Sequence, residues 1–90
     1  MEKRLNALQG QILRTEPRQC AFKITDVTTE RITFVPEKGN GTPRWERTET
    51  ILAAANKPWD NSELRQRIQE WHINTRNSSY IAAIVRELKK

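Results

Sequence analysis

The hydrophobic positions at the start of the chain have helical spacing. Leu5, Leu8 and Ile12 recur three or four positions apart, so one side of a helix would be apolar. This spacing predicts a helix over residues 3–14. Gly10 falls inside the predicted helix and weakens it by about 1 kcal/mol relative to alanine.

An alternating pattern follows and predicts an antiparallel β-hairpin. Phe22 and Ile24 alternate with other residues, and Ile32 and Phe34 do the same after a short polar connection. A period of two places these four side chains on one buried face. The opposite face is expected to be polar and basic, without the aromatic rings on which RNA-binding sheets stack bases.

Residues 38–43 contain the strongest loop pattern in the chain, with two glycines and a proline. The segment 44–47 after this loop is predicted to be a third short strand, with Trp45 facing inward. The loop and this strand also carry cations, and such a basic arm can lie along a phosphate backbone. The cations of this predicted basic arm are Lys38, Arg44 and Arg47.

Three helices are predicted in the second half of the chain. Thr48 is expected to cap the first of them. In the second, over residues 60–72, Asp60 and Glu63 have the spacing of a capping box. The third is predicted over residues 78–89.

Together these elements predict an α+β fold, with a small antiparallel sheet of two or three strands packed against three or four helices. Residues 1–90 are expected to form one small domain, with an N-terminal helix in 1–15, the hairpin and sheet in 20–47 and a helical part in 48–90. Trp59 is expected at the edge of the core. The predicted core residues are Phe22, Ile24, Ile32, Phe34, Trp45, Ile51, Leu52, Leu64, Ile68, Trp71, Ile81, Ile84, Val85 and Leu88.

The residue types argue against catalysis. The chain has one cysteine, Cys20, and one histidine, His72, and its carboxylates are scattered singly among cations. A catalytic couple or a metal site needs several such groups placed together. We therefore expect a protein that is not an enzyme and has no metal or cofactor.

A lone cysteine fits a reducing compartment, and the longest apolar run is too short to span a bilayer. A cytoplasmic protein, or one soluble domain of a larger one, without a membrane partner is expected.

The net charge changes the interpretation of the last two predicted helices. The chain carries 16 lysines and arginines against 11 acids, a formal charge of +5, which is typical of nucleic-acid-binding domains. The two helices and the polar break at residues 74–77 have the order of a helix-turn-helix pair, whose second helix enters the major groove. The outward face of that helix is small and basic, so the sequence predicts double-stranded DNA in preference to RNA. Besides the basic arm, the predicted contacts are Arg76, Asn77, Ser78, Ser79, Ala82, Ala83, Arg86, Lys89 and Lys90.

An acidic protein partner would explain the same cations. The alternative prediction is therefore a protein-interaction module, such as a small regulator, an inhibitor or an accessory domain of a larger assembly.

Overall fold

A four-stranded antiparallel sheet forms one layer of the molecule. The computed structural model describes residues 2–16, 18–38, 41–72 and 76–90. The strands are β1 (Ile12–Arg14), β2 (Ala21–Val27), β3 (Arg31–Pro36) and β4 (Arg44–Arg47), and their order across the sheet is the order along the chain. The predicted α+β class is confirmed, but the sheet has four strands rather than two or three.

Four α-helices are present among the described residues. They are α1 (Glu2–Asn6), α2 (Thr48–Ala55), α3 (Leu64–Trp71) and α4 (Ser78–Leu88), and a 3-10 turn precedes α3. Both α2 and α3 pack on α4, which also contacts β1, while α2 reaches β3 and β4. Helix α4 is therefore the centre of the helical layer. None of these helices has the length and apolar character needed to cross a membrane.

The predicted helix over residues 3–14 is wrong beyond its first turns. Gly10 has a φ of +87°, a left-handed conformation that glycine adopts without a steric penalty. Its N–H donates to the carbonyl of Ile24 at 2.7 Å, and the N–H of Ile24 donates to the carbonyl of Gln11 at 2.9 Å. These bonds lay the chain alongside β2, and the segment that follows becomes strand β1.

The predicted hairpin is confirmed as β2 and β3, and it supplies the buried face of the sheet. Phe22, Ile24, Ile32 and Phe34 are fully buried. The ring centroid of Tyr80 in α4 lies 5.1 Å from that of Phe22 and 5.0 Å from that of Phe34. Aromatic pairs at such separations contribute about 0.5–1.5 kcal/mol beyond the area they bury. This cluster holds the first turn of α4 on the sheet.

Most of the predicted helical core is confirmed, but two tryptophans lie outside it. Leu52 and Trp59 are partly buried against the core. Trp45 is 51% exposed and Trp71 is 38% exposed, so the prediction that both are core residues is wrong. The buried residues of the predicted helical core are Ile51, Leu64, Ile68, Ile81, Ile84, Val85 and Leu88.

The register of β4 explains the position of Trp45. Thr33 is the cross-strand partner of Trp45, and Ile32 is the partner of Glu46. Because Ile32 faces the helices and successive residues alternate, Glu46 points inward and Trp45 points outward. Glu46 is 8% exposed. Its Oε1 lies 3.3 Å from Nε2 of the partly exposed His72, within ion-pair range but without a hydrogen bond.

The predicted helix caps differ from the observed ones. Thr48 is the first residue of α2 rather than its cap, and its hydroxyl donates to the carbonyl of Thr28 at 2.8 Å. Asp60 stands at the start of the 3-10 turn, but its side chain makes no capping hydrogen bond. Residues 39 and 40 of the predicted loop and 74 and 75 of the predicted break lie outside the described residues.

Candidate nucleic-acid interface

Three residues predicted to face DNA lie inside the protein. Ser78, Ala82 and Ala83 are only 9%, 0% and 6% exposed. Helix α4 is enclosed by the sheet, α2 and α3, so its small side chains permit close packing within the protein. The prediction that these three side chains face outward is wrong, and α4 in this position cannot present them to a major groove.

The cations at the end of α4 hold other parts of the chain. Nε of Arg86 donates to the carbonyl of Asn61 at 3.2 Å. Nζ of Lys89 donates to two carbonyls of the connection between α2 and α3, at 3.0 and 3.3 Å. Lys90 is exposed, and its Nζ lies 3.0 Å from the carboxylate of Glu87. All three predicted contacts, Arg86 for base edges and Lys89 and Lys90 for the phosphate backbone, therefore have a partner within the protein.

The start of β4 and the start of α4 meet at one end of the molecule. Nη1 of Arg44 donates to Oδ1 of Asn77 at 3.3 Å, and Nδ2 of Asn77 donates to the carbonyl of Trp45 at 3.1 Å. The guanidinium of Arg44 also lies 5.4 Å from the ring centroid of Tyr80. These contacts place Arg44 on the side of the sheet that faces the helices, whereas the sequence pattern suggested the outer face. Among the other predicted contacts, Lys38 and Arg76 are exposed and Ser79 is half-buried, and a binding role for these three residues stays a prediction.

The outer face of the sheet combines an exposed aromatic ring with cations. The guanidinium of Arg31 lies 5.8 Å from the ring centroid of Trp45, within the range of a cation–π contact. Ile12, which is 55% exposed, is the cross-strand partner of Lys23 on the same face. The expectation of an outer face without an aromatic ring is wrong, because Trp45 supplies one.

Two arginines lie side by side next to this ring. Arg31 and Arg47 are direct cross-strand partners, and like charges in that position destabilise a strand pair. Nη1 of Arg47 lies 3.7 Å from Glu49, but both side chains are more than two-thirds exposed, so solvent screens the pair. Together with Trp45 and Glu30, these residues border an open depression of about 530 Å³. An anion bound there would relieve the repulsion between the arginines.

The cysteine and the histidine of the chain are both partly buried. Cys20 is half-buried, and its N–H donates to the hydroxyl oxygen of Thr15 at 3.1 Å. His72 faces the buried Glu46. In the ranges that the structure describes, no three histidine, cysteine or acidic side chains are grouped so that they could hold a metal ion.

Comparisons of the chain with protein-family models, with curated proteins and with solved structures found no match. The outer face of the sheet, with the exposed Trp45 and its neighbouring cations, is therefore the candidate interface.

Proposed function

We propose that this protein is a non-catalytic nucleic-acid-binding domain that binds an unpaired strand on the outer face of its sheet. The observation that carries the proposal is Trp45, which is 51% exposed and has the guanidinium of Arg31 beside its ring. A large aromatic side chain held on a sheet and open to solvent is a surface on which a base can stack.

Stacking favours an unpaired strand over a duplex. In a duplex each base is already stacked on its neighbours, and only base edges reach the grooves. In a single strand the flat face of a base is free, and stacking on an aromatic side chain contributes about 1–3 kcal/mol. With α4 buried, the geometry favours single-stranded DNA or RNA over the duplex DNA that the sequence pattern suggested.

The charges around Trp45 suit a phosphate backbone. Lys23, Arg31 and Arg47 lie on the same face, and the whole chain carries a formal charge of +5. Glu30 and Glu49 border the same depression and partly offset these cations. Binding should weaken with salt, because each phosphate contact releases counterions from the strand.

The test is fluorescence anisotropy of labelled single-stranded DNA, single-stranded RNA and duplex DNA, at low and at moderate salt. We expect a single strand to bind more tightly than the duplex. Trp45→Ala should weaken single-strand binding about 5- to 150-fold, which corresponds to a loss of about 1–3 kcal/mol of stacking. Trp45→Phe should recover much of the affinity, because phenylalanine keeps an aromatic face.

Trp71→Ala is the matched control, because it removes another partly exposed tryptophan, one that packs against Trp59 in the helical part. Its affinity should stay within about twofold of the wild type, since most surface substitutions have small effects. Equal losses in the Trp45 and Trp71 variants, preference for the duplex, or no binding of any probe at low salt would each contradict the proposal.

A protein-interaction module is the second candidate, and the exposure of Ile12 on the same face favours it. Tryptophan and arginine are the residues most enriched at the energetic centres of protein interfaces, and Ile12 adds apolar surface beside Lys23. The absorbance spectrum of the freshly purified protein separates the two candidates cheaply. Co-purified nucleic acid adds the absorbance of its bases to the protein spectrum and supports the first candidate. A spectrum of protein alone, together with anisotropy titrations that show no binding, supports the second candidate.

A further inference from the structure

A second basic surface runs along the β1 edge of the sheet, the edge opposite β4. Three depressions of about 320, 330 and 330 Å³ all share Glu16. The first two also share Arg86, and the last two also share Arg65, so the three depressions adjoin one another and together make a groove. The cations that line this β1-edge groove are Arg14, Arg18, Arg65, Arg86 and Lys90.

The cations of the groove outnumber its acids. Its lining contains five cations against the two carboxylates of Glu16 and Glu87. Glu87 lies 3.0 Å from Lys90. Within the described part of the chain, Arg18 and Arg65 have neither an ion pair nor a side-chain hydrogen bond. These two guanidinium groups are therefore available to an anion from outside.

Glu16 is one of the two carboxylates of the groove. It borders all three depressions, its side chain is 57% exposed, and Oε2 lies 3.9 Å from Nε of Arg86. A backbone phosphodiester has the same single negative charge as this carboxylate, but a strand presents several consecutive phosphates to the cations of the groove and releases counterions when it binds. A phosphate group can therefore replace this carboxylate among the cations.

Arg14 connects the groove with the outer face of the sheet. Ile12 and Arg14 are two residues apart in β1, so they lie on the same side of the sheet. Both residues border the first depression of the groove, and Ile12 is exposed on the outer face. A strand that lies on the outer face can therefore pass over the β1 edge into the groove.

We propose that the β1-edge groove binds the phosphates of a nucleic-acid backbone and that Glu16 is displaced when they bind. This inference rests on the proposed function, because the backbone belongs to the strand that stacks on Trp45. The groove binds the phosphates of the strand and does not contact its bases, whereas Trp45 stacks on the bases.

The experiment compares a fluorescein-labelled single strand with an abasic strand of the same length, which keeps the backbone and lacks bases. Arg65→Glu should weaken the binding of both strands about tenfold and reduce the salt slope by about 0.7 or more. Glu16→Gln should tighten the binding of both strands about three- to tenfold, because it removes the competing anion.

Helix α3 and the 3-10 turn before it contain residues for matched controls. Arg67→Glu makes the same charge change two residues from Arg65, at a side chain that already contacts Glu63 and Glu70 at 3.6 Å. Glu63→Gln removes one acid outside the groove, as Glu16→Gln does within it. Both controls should stay within about twofold of the wild type. If either control matches its groove variant, the effect is one of net charge and the inference is overturned.

The two probes separate the groove from the sheet face. If Trp45→Ala weakens only the base-bearing strand while binding of the abasic strand is insensitive to Arg65 and Glu16, the groove fails and the proposed function stands. If both strands depend on Arg65 and Glu16 but not on Trp45, the groove stands and the stacking surface fails. If neither strand binds the wild type at low salt, both are overturned.

Discussion

Replacing Ala82 with leucine tests whether α4 is a buried central helix or an exposed recognition helix. Ala82 is fully buried, and a larger side chain there would force neighbouring side chains out of their packed positions. Such overpacking costs about 1–3 kcal/mol. For a chain of 90 residues, a stability of about 0.05–0.15 kcal/mol per residue gives about 5–13 kcal/mol in total. The variant should still fold, but its free energy of unfolding should be clearly lower than that of the wild type.

A loss of about 2 kcal/mol lowers the Tm of a domain of this size by about 8–16 °C. The assay is thermal unfolding followed by circular dichroism. Ala53→Leu is the control, because it makes the same change at a half-buried position of α2, where we expect a change within about 0.5 kcal/mol. If Ala82→Leu has the same Tm as the wild type and the control, that side of α4 is open to solvent. The buried position of Ala82 would then be incorrect.

Two further stability predictions concern the ends of elements and the inner face of the sheet. Arg4 caps the C-terminal end of α4, because its Nη1 donates to the carbonyl of Leu88 at 2.9 Å. Arg4→Ala should therefore lower the free energy of unfolding in guanidinium chloride by about 1 kcal/mol. An unchanged unfolding midpoint would count against this cap. Glu46 shares the inner face with Ile32, and its Oε1 has no hydrogen bond. Glu46→Val should therefore raise the free energy of unfolding by about 1 kcal/mol, and a lower Tm would indicate that the contact with His72 is strongly stabilising.

The parts of the fold that the sequence predicted are those in which only one face could be apolar. In β2 and β3 the fully buried side chains of the inner face, such as Phe22 and Phe34, fall on one parity. A shift of one residue would expose all of them. Residues 44–47 offered no such constraint, since Trp45 stands between charged residues and only the pairing with β3 decides its direction.

The predicted helix over residues 3–14 and the predicted outward face of α4 are wrong for different reasons. Leu5 and Leu8 are buried as a helix would place them, but Gly10 turns the chain so that Leu13 is buried from a strand instead. Helical spacing places Ala82 and Ala83 away from the large apolar side chains of α4, and this position predicts an outward face. A helix enclosed on several sides needs small residues there as well, and helical spacing alone does not distinguish the two situations.

The candidate interface could be predicted only in its chemistry. The excess of arginine and lysine indicated a polyanionic partner, and that indication stays a prediction. The position of the surface could not be read from the sequence, because it depends on the register that pairs Thr33 with Trp45 and Arg31 with Arg47. The β1-edge groove brings together Arg18 and Arg86, which are far apart along the chain.

The most direct test of the sheet-face interface is a two-dimensional NMR titration that follows the indole N–H signals of Trp45, Trp59 and Trp71 as an unlabelled single strand is added. These are the three tryptophans of the chain. Trp45 reports on the outer face of the sheet, whereas Trp59 and Trp71 pack against each other and report on the helical part. The signal of Trp45 should shift in proportion to the bound fraction, with the backbone amide of Arg31, while the signals of Trp59 and Trp71 stay in place. Shifts confined to Trp59 and Trp71, or binding that leaves the Trp45 signal unchanged, would contradict the proposed interface.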